Sequence, residues 1–125
     1  MPAGDQRLPK HKRLLSRAQF LALRQGSGRK HTEHFIFLWR PNGLSQSRLG
    51  LTVTRRVAGA VGRNRVRRLL REAFRLSWEE IPPGLDMVAV AKTGAPGLAF
   101  ADVRREVTEG ARAMKARPQP MNPPA

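Results

Sequence analysis

The chemistry of this chain is concentrated in one stretch, Arg63-Asn64-Arg65-Val66-Arg67-Arg68-Leu69-Leu70-Arg71-Glu72-Ala73-Phe74-Arg75. A guanidinium is a permanent cation whose planar fork of N–H donors matches the oxygens of a phosphate, so arginines at this density bind a polyanion rather than move protons or form covalent intermediates. At about 100° per residue, Val66, Leu69, Leu70, Ala73 and Phe74 form one buried stripe, at the i, i+3, i+4, i+7, i+8 spacing of a helix. Asn64, Arg65, Arg67, Arg68, Arg71 and Arg75 spread over the half opposite it, and Arg63 lies close to its edge. Like charges four residues apart, such as Arg63, Arg67, Arg71 and Arg75, destabilise an isolated helix by a few tenths of a kcal/mol per pair. A solvated helix ordinarily mixes signs. Here Glu72 alone offsets the arginines, which points to a polyanionic ligand, and Arg55 and Arg56 extend the basic run upstream.

Groups for self-sufficient catalysis do not converge in the same way. The acids are scattered singly except for Glu79-Glu80, and His11, His31 and His34 have no carboxylates at ligand spacing. General acid–base pairs and metal-dependent nucleases need such groups at one site. No nucleophile elbow or glycine-rich phosphate loop is present, and cysteine is absent. The expectation is therefore no catalytic side chain and no metal site in the protein. The whole chain, 125 residues with 24 Lys plus Arg against 9 Asp plus Glu, carries a formal charge of +15. Such self-repulsion is relieved by a polyanion, with nucleic acid the leading partner and an anionic membrane second. No apolar run approaches the roughly 20 residues of a bilayer span. Met1 to Arg13 is basic but is followed by no apolar core of a secretory signal, so the cytoplasm is the expected compartment.

Several elements must position the arginines. Ser16 with Gln19 makes a capping box, and Leu15 with Phe20 a hydrophobic staple, predicting a helix over Ser16 to Gln25 that Gly26-Ser27-Gly28 stops. His34 to Arg40 reads as a strand followed by the turn Pro41-Asn42-Gly43. Leu49 to Arg56 reads as a second, with Leu49, Leu51 and Val53 on an apolar face and Gly50, Thr52, Thr54 and Arg56 on a small, hydroxylated and basic one. That second face suits either RNA or solvent. The arginine helix spans Val61 to Trp78. After Ile81-Pro82-Pro83-Gly84, Asp86 to Lys92 suits a strand buried on both sides. The last helix, Asp102 to Lys115, has Asp102 as N-cap, Val103, Val107, Ala111 and Met114 as its packing stripe, and Gly110 marking a close approach. Residues 1–9 and the proline-rich 117–125 read as tails of a single domain, 10–116. The order helix, strand, strand, helix, strand, helix predicts a small α+β layer structure.

Arg48-Leu49-Gly50-Leu51-Thr52-Val53-Thr54-Arg55-Arg56-Val57, followed by Ala60-Val61-Gly62-Arg63-Asn64-Arg65-Val66-Arg67-Arg68-Leu69-Leu70-Arg71-Glu72-Ala73-Phe74-Arg75, resembles the signature of the bacterial ribonuclease P protein family. The resemblance runs from about Leu8 to Met114. It implies a small central sheet of about three to four strands packed with three helices, a ribosomal-protein-like α/β sandwich with a left-handed βαβ crossover around the arginine helix. That hand departs from the general rule for parallel connections. It also implies a function: a protein joins a large catalytic RNA, and the holoenzyme removes the 5′ leader of precursor tRNA. The chemistry would belong to magnesium ions bound mainly by the RNA, and the protein would be a monomer in a 1:1 complex with it. By position, Arg55, Arg56, Arg63, Asn64, Arg65, Arg67, Arg68, Arg71 and Arg75 would contact RNA. Phe20, Thr52, Thr54 and Arg56 would line the groove for the single-stranded leader, in keeping with stacking and basic grooves as the means of holding single strands. Phe20 serves equally as a packing residue. The chain departs from the family pattern at Arg24, where a second aromatic is common, and at Gly59, where asparagine is common. Two other readings of the same helix are a structural, ribosomal-type RNA-binding protein with no catalytic link and a duplex DNA reader using Asn64 and Arg67.

Overall fold

The computed structural model describes residues 28–116. Four strands, β1 (Gly28–His31), β2 (Phe35–Pro41), β3 (Arg48–Thr52) and β4 (Leu85–Ala91), form one sheet in the order β1-β2-β4-β3. β4 is antiparallel to β2 and parallel to β3, while β1 is antiparallel to β2, so the sheet is mixed. The helix α1 (Ala60–Ser77) and a short 3₁₀ turn, Trp78–Glu80, connect the parallel pair; a second 3₁₀ turn, Ala95–Gly97, precedes the helix α2 (Phe100–Ala116). The result is the expected α+β architecture. The expected helix over Ser16 to Gln25 and the two tails lie outside the described residues.

Strand periodicity decides which face is buried. Phe35, Phe37 and Trp39 alternate along β2 and are fully buried, as are Met87 and Ala89 on β4. They meet Val66, Leu70, Ala73 and Phe74 of α1 and Val103, Val107, Ala111 and Met114 of α2, forming one core. Phe74 meets Phe37 edge-on, with ring centroids 6.0 Å apart. Ile36, Leu38, Val88 and Val90 point to the opposite face, where Val88, Leu38 and Val90 form a second small apolar cluster.

Several local expectations change. β2 starts at Phe35 rather than His34, because His34 and Thr32 turn toward the carboxylate of Glu106 on α2. Glu106 is 1% exposed and accepts hydrogen bonds from the Thr32 hydroxyl at 2.5 Å, the His34 backbone N–H at 2.7 Å and His34 Nδ1 at 2.7 Å. Burial pushes this carboxyl up, but the Thr32 and His34 hydrogen bonds together outweigh it and hold the pKa below the ordinary value. β3 ends at Thr52 instead of running to Arg56: Val57 N–H donates to Thr54 O at 3.0 Å and closes a turn. β1 was not legible as a strand because Gly28 reads as a helix stop. Its glycine is required by packing, since an added Cβ would lie 2.0 Å from the Trp39 ring. Asp102 is the third residue of α2 rather than its N-cap, and its Oδ2 accepts from Ala99 N–H at 3.3 Å. Gly110 does mark a close approach, with a Cβ there only 2.9 Å from the Phe37 ring.

The two ends of the sheet differ. At one, Asp86 takes a bidentate pair from Arg48, both bonds 2.8 Å, plus Asn42 Nδ2 at 2.9 Å. There Ser47 Oγ donates to Pro82 O at 2.7 Å. At the other end, the strand pairings bring together the turn 32–34, the connection 53–59 and the loop 92–99. The arginine helix starts there.

Candidate nucleic-acid interface

α1 obeys the stripe read from its sequence: Val66, Leu70, Ala73 and Phe74 are buried, Leu69 is partly buried, and Ser77 joins them below. Burying that stripe leaves the arginines on the remaining surface. Twelve residues separate Arg63 from Arg75, so the basic face runs about 18 Å at 1.5 Å per residue.

The side chains divide by what they touch. Arg63 Nη1 donates to Ala58 O at 3.1 Å. Asn64 Oδ1 accepts from Arg67 Nη1 at 3.4 Å, a long bond that turns the guanidinium along the helix. Arg65 donates from Nε to Pro96 O at 3.3 Å and from Nη2 to Leu98 O at 2.9 Å. Arg75 pairs with Glu72 through bonds of 3.0 and 2.6 Å. That hydrogen bond holds the Glu72 carboxyl below its ordinary pKa and raises the Arg75 guanidinium. The side chains of Arg55, Arg56 and Arg68 are exposed and make no hydrogen bond or ion pair among the described residues. Arg71 is half-buried. An exposed guanidinium without an internal partner keeps its whole fork available to a phosphate, so Arg55, Arg56 and Arg68 are the best placed of the expected contacts.

The expected leader groove is only partly assembled among the described residues. Thr52 ends β3, half-buried and paired in register with Val90. Thr54 and Arg56 lie beyond the strand, in the turn that leads to α1, because β3 stops at Thr52. They therefore do not line the strand face, although Arg56 remains in the basic surface. Phe20 lies outside the described residues. Strand alternation places Ile36, Leu38, Val88 and Val90 on the same sheet face as Thr52, flanked by Arg29 and His31 of the exposed edge strand. A strand buried on both sides was legible in the sequence for Val88 and Val90 but not read for Ile36 and Leu38, although the unbroken apolar run Phe35-Ile36-Phe37-Leu38-Trp39 carries the same signal.

Among the described residues no three His, Asp or Glu side chains group to hold a metal ion. No helix there is long and apolar enough to cross a membrane.

The family model described as Ribonuclease P matches residues 8–115. The chain belongs to the ribonuclease P protein family. It is 39% identical over 100 residues to the ribonuclease P protein component of Syntrophus aciditrophicus, covering 80% of this chain and 84% of that one. With the ribonuclease P protein component of Desulfovibrio desulfuricans it shares 42% over 104 residues, 80% of each chain. The solved RNase P protein of Thermotoga maritima superposes with a TM-score of 0.74 at 33% identity, covering 80% of this chain and 97% of that structure. The Staphylococcus aureus RNase P protein, at 20% identity and a TM-score of 0.73, covers 86% of this chain and 95% of its own, and shows the shared fold. Family membership makes the chain a protein subunit of ribonuclease P, the accessory component of a tRNA-processing endoribonuclease that is a ribonucleoprotein.

Proposed function

We propose that the turn 54–57 and the outer face of α1 bind the catalytic RNA of ribonuclease P, with Arg55, Arg56 and Arg68 as direct phosphate contacts. Asn64, Arg67, Arg71 and Arg75 complete that surface, while Arg63 and Arg65 stand at its edge. The observation that carries this reading is the set of exposed guanidiniums, in the turn before α1 and at its middle, that make no hydrogen bond or ion pair among the described residues. Counterion release on phosphate neutralisation supplies the driving force.

The sheet face carrying Thr52, Ile36, Leu38, Val88 and Val90 receives the 5′ leader of precursor tRNA, with Phe20 as its stacking residue. An apolar floor beside a basic edge suits unstacked bases and sugars followed by phosphates. No side chain of the protein takes part in bond cleavage. Magnesium held mainly by the RNA would supply the activated water and the stabilisation of the leaving oxygen. The protein acts in the cytoplasm as a monomer, one per RNA.

The test is cleavage of a 5′-labelled precursor tRNA by a bacterial ribonuclease P RNA at low magnesium, with and without the protein. Protein-dependent release of an intact leader supports the subunit role. RNA binding without stimulation would overturn the reading of this surface as one that promotes cleavage.

A further inference from the structure

Arg65 makes a contact that the phosphate-binding reading does not require. Its guanidinium reaches across to the loop between β4 and α2 and donates to two carbonyls, Pro96 O at 3.3 Å and Leu98 O at 2.9 Å. The loop's own turns use the carbonyls of Lys92, Gly94 and Ala95, and leave those two to Arg65. The loop is otherwise well seated: Ala95 is fully buried, and Gly94, at φ +97°, sets the turn. A second contact lies beside the first, because a Cβ added at Gly62 would come within 3.8 Å of the Pro96 Cβ.

The start of α1 needs such support. Its N-cap is Gly59, which has no side chain to accept the free N–H groups, and the first turn contains no acidic residue. A helix start without a cap frays, and the arginines that face RNA begin one turn later.

From this geometry we infer that Arg65 is a positioning residue: its fork fastens the 95–98 loop to the second turn of α1 and so holds the uncapped start of the helix, without itself contacting phosphate. The inference rests on the reading of α1 as the RNA face. Holding the start of the helix in the free protein removes ordering that binding would otherwise have to impose.

The test measures affinity of the full chain for a ribonuclease P RNA across a salt series, together with amide hydrogen exchange. Arg65→Gln is expected to weaken binding about fivefold, the order of a lost helix cap. It should leave the slope of log affinity against log salt unchanged and speed exchange in residues 63–66, the first amides bonded within the helix, and in 97–98. Arg68→Ala, in parallel, is expected to reduce the slope by about 1 and leave that exchange alone. A cross-link supplies the rescue. The chain has no cysteine, and the 3.8 Å spacing of Gly62 and Pro96 falls in the disulfide range of about 3.5–4.5 Å between Cβ atoms. Ala58→Gly is added, because the Ala58 Cβ would lie 2.7 Å from the new Cβ. In the Arg65→Gln background, the oxidised Gly62→Cys, Pro96→Cys, Ala58→Gly protein should regain affinity, and reduction should lose it. A slope reduced by about 1 in Arg65→Gln, or a formed cross-link that restores nothing, overturns the inference and makes Arg65 a phosphate contact. A slope unmoved in Arg68→Ala overturns the RNA-face reading, and this inference with it.

Discussion

Replacing Glu106 by alanine tests whether the buried carboxylate fastens α2 to the turn that begins β2. It removes both carboxylate oxygens from three donors: the Thr32 hydroxyl and the His34 backbone N–H on Oε1, and His34 Nδ1 on Oε2. The losses are unequal. Thr32 Oγ1 already meets Phe35 O at 3.3 Å and can turn to it. The His34 ring is 19% exposed and reaches water. Its backbone N–H has no substitute and is left unsatisfied, at about 1–3 kcal/mol. Adding the vacated volume and the weakened bonds gives a loss of about 3 kcal/mol, which is a large part of a typical 5–15 kcal/mol stability. Glu106→Gln keeps the volume and one acceptor but turns an amide NH₂ toward a donor, and should cost about half as much, near 1.5 kcal/mol. The assay is urea unfolding followed by the fluorescence of buried Trp39. The pH dependence has a definite sign. Because the folded pKa of Glu106 lies below its ordinary value of 4.5, its contribution is fully present above that value. It is lost as pH falls through the lower, folded pKa, so Glu106→Gln should flatten the acid limb of the stability curve. A Glu106→Ala protein within about 0.5 kcal/mol of the parent, the range of an ordinary surface change, would show that this carboxylate does not fasten α2 to the turn.

Other substitutions probe the rest of the account. Arg68→Ala should leave the unfolding midpoint in place and flatten the salt dependence of RNA affinity by about one contact, so that its deficit shrinks roughly threefold between 50 and 200 mM salt in filter binding. Gly110→Ala gains about 1 kcal/mol of helix propensity but drives a Cβ to within 2.9 Å of the Phe37 ring. Overpacking costs about 1–3 kcal/mol, so thermal unfolding should show a net loss. Phe20→Leu and Thr52→Val should each weaken binding of precursor tRNA more than of mature tRNA in the holoenzyme. Equal losses on the two would remove those residues from the leader groove.

Much of the architecture was legible where one periodicity ruled. The i, i+3, i+4 stripe of Val66, Leu70 and Phe74 located α1 to within one residue at each end, and the alternation in Met87-Val88-Ala89-Val90 located β4. Legibility failed where tertiary contacts override local pattern. Gly28 carries the local signal of a helix stop, but the Trp39 ring above it requires a glycine in a strand. Thr54 and Arg56 continue the alternation of β3 in sequence, yet the chain turns away after Thr52 and reaches α1 through a tight turn. Asp102 has the type of an N-cap, but sits one turn inside, where a carboxylate can reach back to Ala99. Within the site, the sequence identified the arginines and could not rank them. The ranking depends on which guanidiniums find carbonyls or carboxylates inside the protein, as Arg63, Arg65 and Arg75 do, and which find none among the described residues, as Arg55, Arg56 and Arg68 do.

The absence of cysteine permits a direct measurement of where RNA lies. An iron chelate tethered to single-cysteine variants cleaves nearby RNA backbone, and three positions are informative: Val61, 85% exposed among the arginines of α1; Thr52, on the sheet face; and Leu44, 52% exposed at the opposite end of the sheet. In the holoenzyme with precursor tRNA, Val61→Cys is expected to cut the ribonuclease P RNA, Thr52→Cys the 5′ leader, and Leu44→Cys neither. Cuts from Leu44→Cys with none from Val61→Cys would place the RNA at the wrong end of the sheet and remove α1 from the interface.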